Sequence, residues 1–193
     1  MANFKSAYDK TMGHEGGYVH DPNDAGGETY KGIARKYNAS WEGWTTIDDC
    51  KKMIGCNDFP DCLDDKEDLQ ESVYSFYKEK YWDVNKLDQV PSQAVAEEMF
   101  DTGVNMGIGR AAKFLQKALN YLNRNGSLFS DLTVDGAIGP ASLSALNTVL
   151  GDGDEKILLT MLNVLQGQHY MNYMDKDPVQ KKYARGWFKR VKL

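Results

Sequence analysis

Residues 14–33 constrain this chain more than any other stretch: His14-Glu-Gly-Gly-Tyr-Val-His-Asp-Pro-Asn-Asp-Ala-Gly-Gly-Glu-Thr-Tyr-Lys-Gly-Ile33. They hold five of the 18 glycines, one of the five prolines and the carboxylates of Glu15, Asp21, Asp24 and Glu28. Glycine opens backbone angles closed to other residues, and proline removes a donor and fixes its own φ. No long regular element survives such a run. A folded loop or short hairpin presenting acids is expected, with Gly26-Gly27 as its tight turn. Ahead of it, Phe4, Ala7, Tyr8, Thr11 and Met12 recur at helical spacing and predict a helix over 3–14, ended by Gly16-Gly17. Glu15 then sits at or just past the carbonyl end of that helix. The partial negative charge there disfavours a carboxylate and raises the pKa, more so if Tyr18 or Tyr30 packs against it. A carboxylic acid held protonated near neutral pH is what a glycosidic leaving group needs. A solvated glutamate before a Gly turn satisfies the same spacing, so spacing alone does not choose between them.

Length and charge narrow the classes. At 193 residues the chain forms one domain or two small ones, with ample material for a core. A net charge of −5 argues against a nucleic-acid partner. No apolar run reaches membrane-spanning length, so no membrane partner is expected. Residues 1–9 lack the charged and apolar regions of a secretory signal. The chain is therefore expected to be made in the cytoplasm without a Sec address. It would reach a cell wall or periplasm after lysis, through a holin or by a dedicated route. Cys50, Cys56 and Cys62 are an odd number spaced by six, without the close pairs of a zinc site; buried thiols with one optional disulfide are expected. His14-Glu15 begins like a zinc peptidase motif, but Tyr18 occupies the second histidine position. Neither metal nor organic cofactor is expected.

The remainder reads as helices. Trp41 and Trp44 sit on a loop, as core plugs or as platforms for a pyranose ring. Thr46-Ile-Asp-Asp49 predicts a helix start. Asp65 is expected to cap a helix with Leu69, Val73, Phe76, Tyr77 and Tyr81 on one face. Ser92 opens the next helix as a good N-cap. Residues 110–122 are again helical. In Asp135-Gly-Ala-Ile-Gly-Pro140 the first two residues turn, Ile138 plugs inward and Pro140 pre-sets a helix. Asp154 is expected to cap a helix over 155–174, with Ile157, Leu158, Met161, Leu162, Leu165 and Tyr170 inward. Trp187 is expected to plug the C-terminus into place.

Several of these runs resemble one family. Glu15-Gly-Gly-Tyr18 followed by Asp24-Ala-Gly-Gly-Glu-Thr29-Tyr-Lys-Gly-Ile33 is similar to the signature of glycoside hydrolase family 108 muramidases, some of them labelled secretion activators. Phe76-Tyr-Lys-Glu-Lys-Tyr-Trp82, Asp101-Thr-Gly-Val-Asn105-Met-Gly107 and Arg185-Gly-Trp187-Phe-Lys-Arg190-Val also match the pattern. The Asp135–Pro140 run is similar to a loop of peptidoglycan-binding modules. The resemblance implies a mainly α, lysozyme-like fold with a small β-hairpin near residues 17–33. It implies a catalytic region over 1–95 and a helical peptidoglycan-binding-like region over 96–193, packed as one compact body. Hydrolysis of the β-1,4 bond between N-acetylmuramic acid and N-acetylglucosamine is the implied reaction, by a monomer whose partner is peptidoglycan. Glu15 would be the general acid, and Asp24 and Thr29 would hold the water. Eight residues separate Glu15 from Asp24, as in phage-type lysozymes; four separate Asp24 from Thr29, one fewer than in that pattern. Tyr18, Tyr30, Asn105 and Trp82 are the substrate-binding candidates. A non-enzymatic peptidoglycan-binding or secretion-assisting protein is the alternative reading.

Overall fold

The computed structural model describes residues 1–12, 16–20 and 26–192. The chain divides into two compact units, one formed by Tyr8–Lys80 and the other by Met1–Ala7 with Tyr81–Leu193. Helices dominate both, and the strands form a single three-stranded antiparallel sheet among the described residues. The fold is thus mainly α, as the sequence implies.

In the unit Tyr8–Lys80, β1 (Tyr18–His20), β2 (Glu28–Tyr30) and β3 (Ile33–Ala34) lie in sequence order. Tyr18 faces Tyr30, and His20 faces Glu28. Residues 21–27 join β1 to β2, and in the described part Gly26 lies in a turn and Gly27 takes φ 64°. A two-residue turn comes one strand later. Tyr30 pairs with Ile33 across Lys31 and Gly32, whose φ angles are 43° and 79°, the sign a two-residue primed turn requires. Tyr77 fixes it: its hydroxyl donates to the Lys31 carbonyl at 2.8 Å. A Cβ on Gly32 would stand 2.6 Å from that hydroxyl.

Two helices pack under the sheet, α2 (Gly43–Lys51) and α3 (Glu67–Tyr77). The α2 helix starts three residues before the expected Thr46. Trp44 decides this, because its indole donates to the Asn38 carbonyl at 2.8 Å while its ring meets Trp41 edge-on at 5.2 Å. Gly43 is required there: a Cβ would run into the Trp41 ring. Trp44, Ile47, Leu69, Val73 and Tyr77 are buried with Tyr30 and Ile33 to form the core. Cys56 and Cys62 form a disulfide, Cys50 is a buried thiol, and the three sulfurs lie within 4.8 Å of one another. The Asp65 cap does not form; Lys66 precedes α3 and makes no side-chain cap.

The other unit holds the first residues of α1 (Phe4–Met12) and α4 (Gln93–Met106), α5 (Ile108–Leu122), α6 (Pro140–Gly151), α7 (Glu155–Lys176) and α8 (Ala184–Trp187). Ser92 caps α4 as expected, its hydroxyl accepting from the Val95 N–H at 3.1 Å. The Asp135 carboxylate accepts from the Gln116 amide at 2.8 Å and the Ala137 N–H at 2.9 Å. Ile138 is buried and Pro140 opens α6, so that loop builds itself as its sequence says. Asp154 makes no side-chain cap to α7, and Ile157, expected inward, is 50% exposed. Phe4, Trp82 and Phe100 form a ring cluster with centroids 5.4–6.0 Å apart.

Gly32→Ala tests the turn that sets the sheet register. Positive φ and the collision with Tyr77 both oppose it, so a loss of more than about 1 kcal/mol is expected. Denaturant unfolding of the purified variant measures it.

Candidate active site

The sheet presents two faces. Along β2, side chains alternate, so Thr29 points away from the face that carries Glu28 and Tyr30. Thr29 lies opposite Val19 and Ala34, on the open side. Tyr30 is anchored inward. It is 1% exposed, its hydroxyl donates to the Leu63 carbonyl at 3.3 Å, and Gln70 donates to that hydroxyl at 2.9 Å. As placed, it is a core strut whose ring has no open face. Tyr18 is half-buried at the rim, edge-on to Phe59 at 4.8 Å, with the Lys51 ammonium 5.4 Å from its ring centre. Tyr8, on the helix that leads into residue 15, meets Tyr74 and Tyr77 edge-on at 5.0 and 6.0 Å. Glu15 and Asp24, the expected acid and its partner, lie outside the described residues, as does Asp21.

Glu28 is the residue whose role sequence reasoning missed. Its carboxylate bonds Lys51 on one oxygen and Arg35 on the other, the latter at 2.8 Å. Arg35 continues to Asp48 through two guanidinium nitrogens. Burial pushes the Glu28 carboxyl up, but Lys51 and Arg35 outweigh it and hold it below its ordinary range. The cluster ties β2 to α2 from below. In the sequence the only signal is a glutamate on a short strand facing a cationic residue at the end of the next helix, which spacing does not single out. Nearby in the chain, the 37–42 loop and α3 enclose a cavity of about 370 Å³ bordered by Trp41, Phe76, Glu42 and Lys80. Trp44 is the plug, then, and Trp41 is a wall.

Asn105 and Trp82 belong to the other unit. Trp82 is 1% exposed against Phe4 and Phe100, so it contributes packing. Asn105 is exposed at the end of α4, and its side-chain amide donates to the Asp101 carbonyl at 2.8 Å. Asp101 itself accepts from Arg190 at 2.7 Å and from Gln166 at 3.2 Å. Two motifs 89 residues apart are thereby joined by one ion pair.

Comparison with known proteins gives this arrangement its class, a glycoside hydrolase with a peptidoglycan-directed C-terminal region. The sequence model described as glycosyl hydrolase 108 matches residues 8–107, more than half of the chain, and the chain belongs to that family. A second, described as a predicted peptidoglycan domain, matches residues 110–192. Among solved structures, SagA of Brucella abortus is similar with a TM-score of 0.61 at 23% identity, over 97% of this chain and 88% of that one; that likeness concerns the fold. No curated protein matches the sequence.

The Glu28 cluster sets an acid limit on stability. The carboxyl titrates below its ordinary 4.5 in the folded chain, so its contribution is complete above that value and is lost as pH falls through the lower, folded one. Glu28→Gln leaves Lys51 and Arg35 short of their acceptor. It is expected to cost about 1–3 kcal/mol at neutral pH and to make the acid limb of stability shallower. Urea titrations between neutral pH and the acid transition check both.

Proposed function

We propose that the chain is an N-acetylmuramidase cleaving the β-1,4 bond between N-acetylmuramic acid and N-acetylglucosamine, with Glu15 as the general acid. The observation that carries this reading is the match of residues 8–107 to a glycosyl hydrolase family, which encloses the whole acid-bearing segment. Glu15 follows the end of α1 at Met12 by three residues. A helix carbonyl end favours the protonated acid, so Glu15 enters the reaction able to give its proton to the leaving oxygen. Thr29 on the open face of the sheet supplies a hydroxyl that, with Asp24, orients the attacking water. Tyr18 is a proposed sugar contact. Such a pair of acids acting with inversion would lie about 6.5–9.5 Å apart.

Glu15→Gln preserves size and removes the proton. General acid catalysis is worth about 10²–10⁴-fold, and a loss of that order in reducing ends released from purified cell walls is expected, with the far-UV circular dichroism unchanged. Activity of the parent enzyme should fall as pH rises through the Glu15 pKa, because the donor is then lost. A wall-binding protein without enzymatic activity would release no reducing ends in either form.

A further inference from the structure

We infer that the unit containing residues 81–193 holds a binding pocket for the sugar–peptide junction of peptidoglycan, formed by Asn105, Arg110, His169, Tyr170, Tyr173 and Trp187. The inference rests on the reading that residues 110–192 engage peptidoglycan, and it says where and through which chemistry. These side chains line a cavity of about 360 Å³, within the range of small-molecule sites. Its wall is aromatic. Trp187 stacks on Tyr170 at 5.0 Å, Tyr173 lies 5.9 Å from Trp187, and His169 stacks parallel to Tyr173 at 6.4 Å. Trp187 is half-buried and Tyr173 is 44% exposed. An aromatic wall left partly wet suits the apolar face of a pyranose ring.

The polar groups define the rest of the ligand. The Tyr170 side chain is 4% exposed, yet its hydroxyl has no hydrogen-bond partner among the described residues. That hydroxyl is shut off from the cavity, next to the Asp101–Arg190 pair, and burial pushes it up to about 12, so Tyr170 gives the site its ring and not its hydroxyl. Arg110 is exposed at the rim. One of its nitrogens donates to the Met106 carbonyl at 2.8 Å, and it has no carboxylate partner among the described residues. A guanidinium has five N–H donors, so the remainder can take a carboxylate. Burial, helped by Arg110 and Lys176, lowers the His169 pKa and favours the neutral ring. The site thus presents one cation, neutral donors and acceptors, and an aromatic wall. A pyranose carrying a carboxylate-bearing peptide meets all three. A bare glycan leaves Arg110 unmatched, and a bare peptide leaves the wall unmatched.

The test uses the full chain in a Glu15→Gln background, so that walls are not digested. Retention on purified insoluble peptidoglycan is measured by co-sedimentation. Muramyl dipeptide, di-N-acetylchitobiose and the free dipeptide are titrated by ligand-observed NMR. Muramyl dipeptide is expected to bind most tightly. Arg110→Ala should weaken it about tenfold, bringing it level with chitobiose, as expected for loss of a charge-assisted contact. Tyr173→Ala should weaken both sugars. Tyr121→Ala, an exposed aromatic that does not line the cavity, should bind as the parent does. Retention of the parent on walls with no change in the Arg110 and Tyr173 variants would overturn the pocket and leave wall binding elsewhere on the chain. Absence of retention by the parent would overturn the wall-binding reading and the pocket with it.

Discussion

The half-buried carboxylate of Glu28, shared between Lys51 and Arg35, is the contact on which the Gly-rich segment depends. Strands of three, three and two residues are too short to stand alone in water. Their backbone pairing is worth little unless one face is fixed to something larger. Glu28 supplies that tie to α2, and Tyr30, one pleat register away on the same face, supplies another to the 3₁₀ turn Asp61–Leu63 and to α3 through Gln70. The opposite face, with Thr29, is thereby left open. A paired charge serves here better than an apolar contact would, because two cations reaching one carboxylate from different places restrict both rotation and slip of the strand.

Much of the helical framework is legible from periodicity alone. The helices around Leu69–Tyr77, Val95–Phe100 and Ala111–Leu119 follow their apolar spacing because each packs one face on a core. Failures cluster where a tertiary partner overrides local preference. A lysine at φ 43° in the β2–β3 turn is locally unfavourable, and only the Tyr77 hydroxyl bound to its carbonyl explains it; without that partner in view, Gly26-Gly27 is the better turn. Tyrosine and tryptophan carry polar tips, so Tyr30 and Trp82 suit the lining of a cleft as well as a core. Inside the fold, those tips are matched or the ring is enclosed, and composition does not distinguish the two cases. The Glu28 cluster and the aromatic cavity around Tyr170 bring together residues far apart in the chain, which no single-chain spacing displays.

The end of the chain is also less simple than its composition. Lys181, Lys182, Arg185, Lys189 and Lys192 are exposed, but Arg190 pairs with Asp101, and the Lys192 backbone N–H donates to the Asn163 side chain at 2.5 Å. Around Asp101, Gln166 bridges to Thr102, and burial raises the neighbouring Glu98 to about 7, with Asp101 adding to the shift. The terminal motif therefore completes a polar layer between α4 and α7. Trp187, expected as a plug, is only half-buried in its aromatic stack; the docking falls mainly to Arg190 and to Phe188 and Val191, which lie over Gly167.

The first seven residues belong to the unit whose remainder begins at Tyr81. Phe4 rests on Trp82 and Phe100, and the Ala2 N–H donates to the Val90 carbonyl at 3.0 Å. On the ribosome those partners arrive late. At ~5–20 residues per second, Phe4 waits roughly 4–16 s for Trp82 to be made, after the strands and α2 have been synthesised. During that interval the Phe4 ring of the nascent chain lacks its native neighbours. A chaperone that holds exposed aromatics would find its substrate in that window.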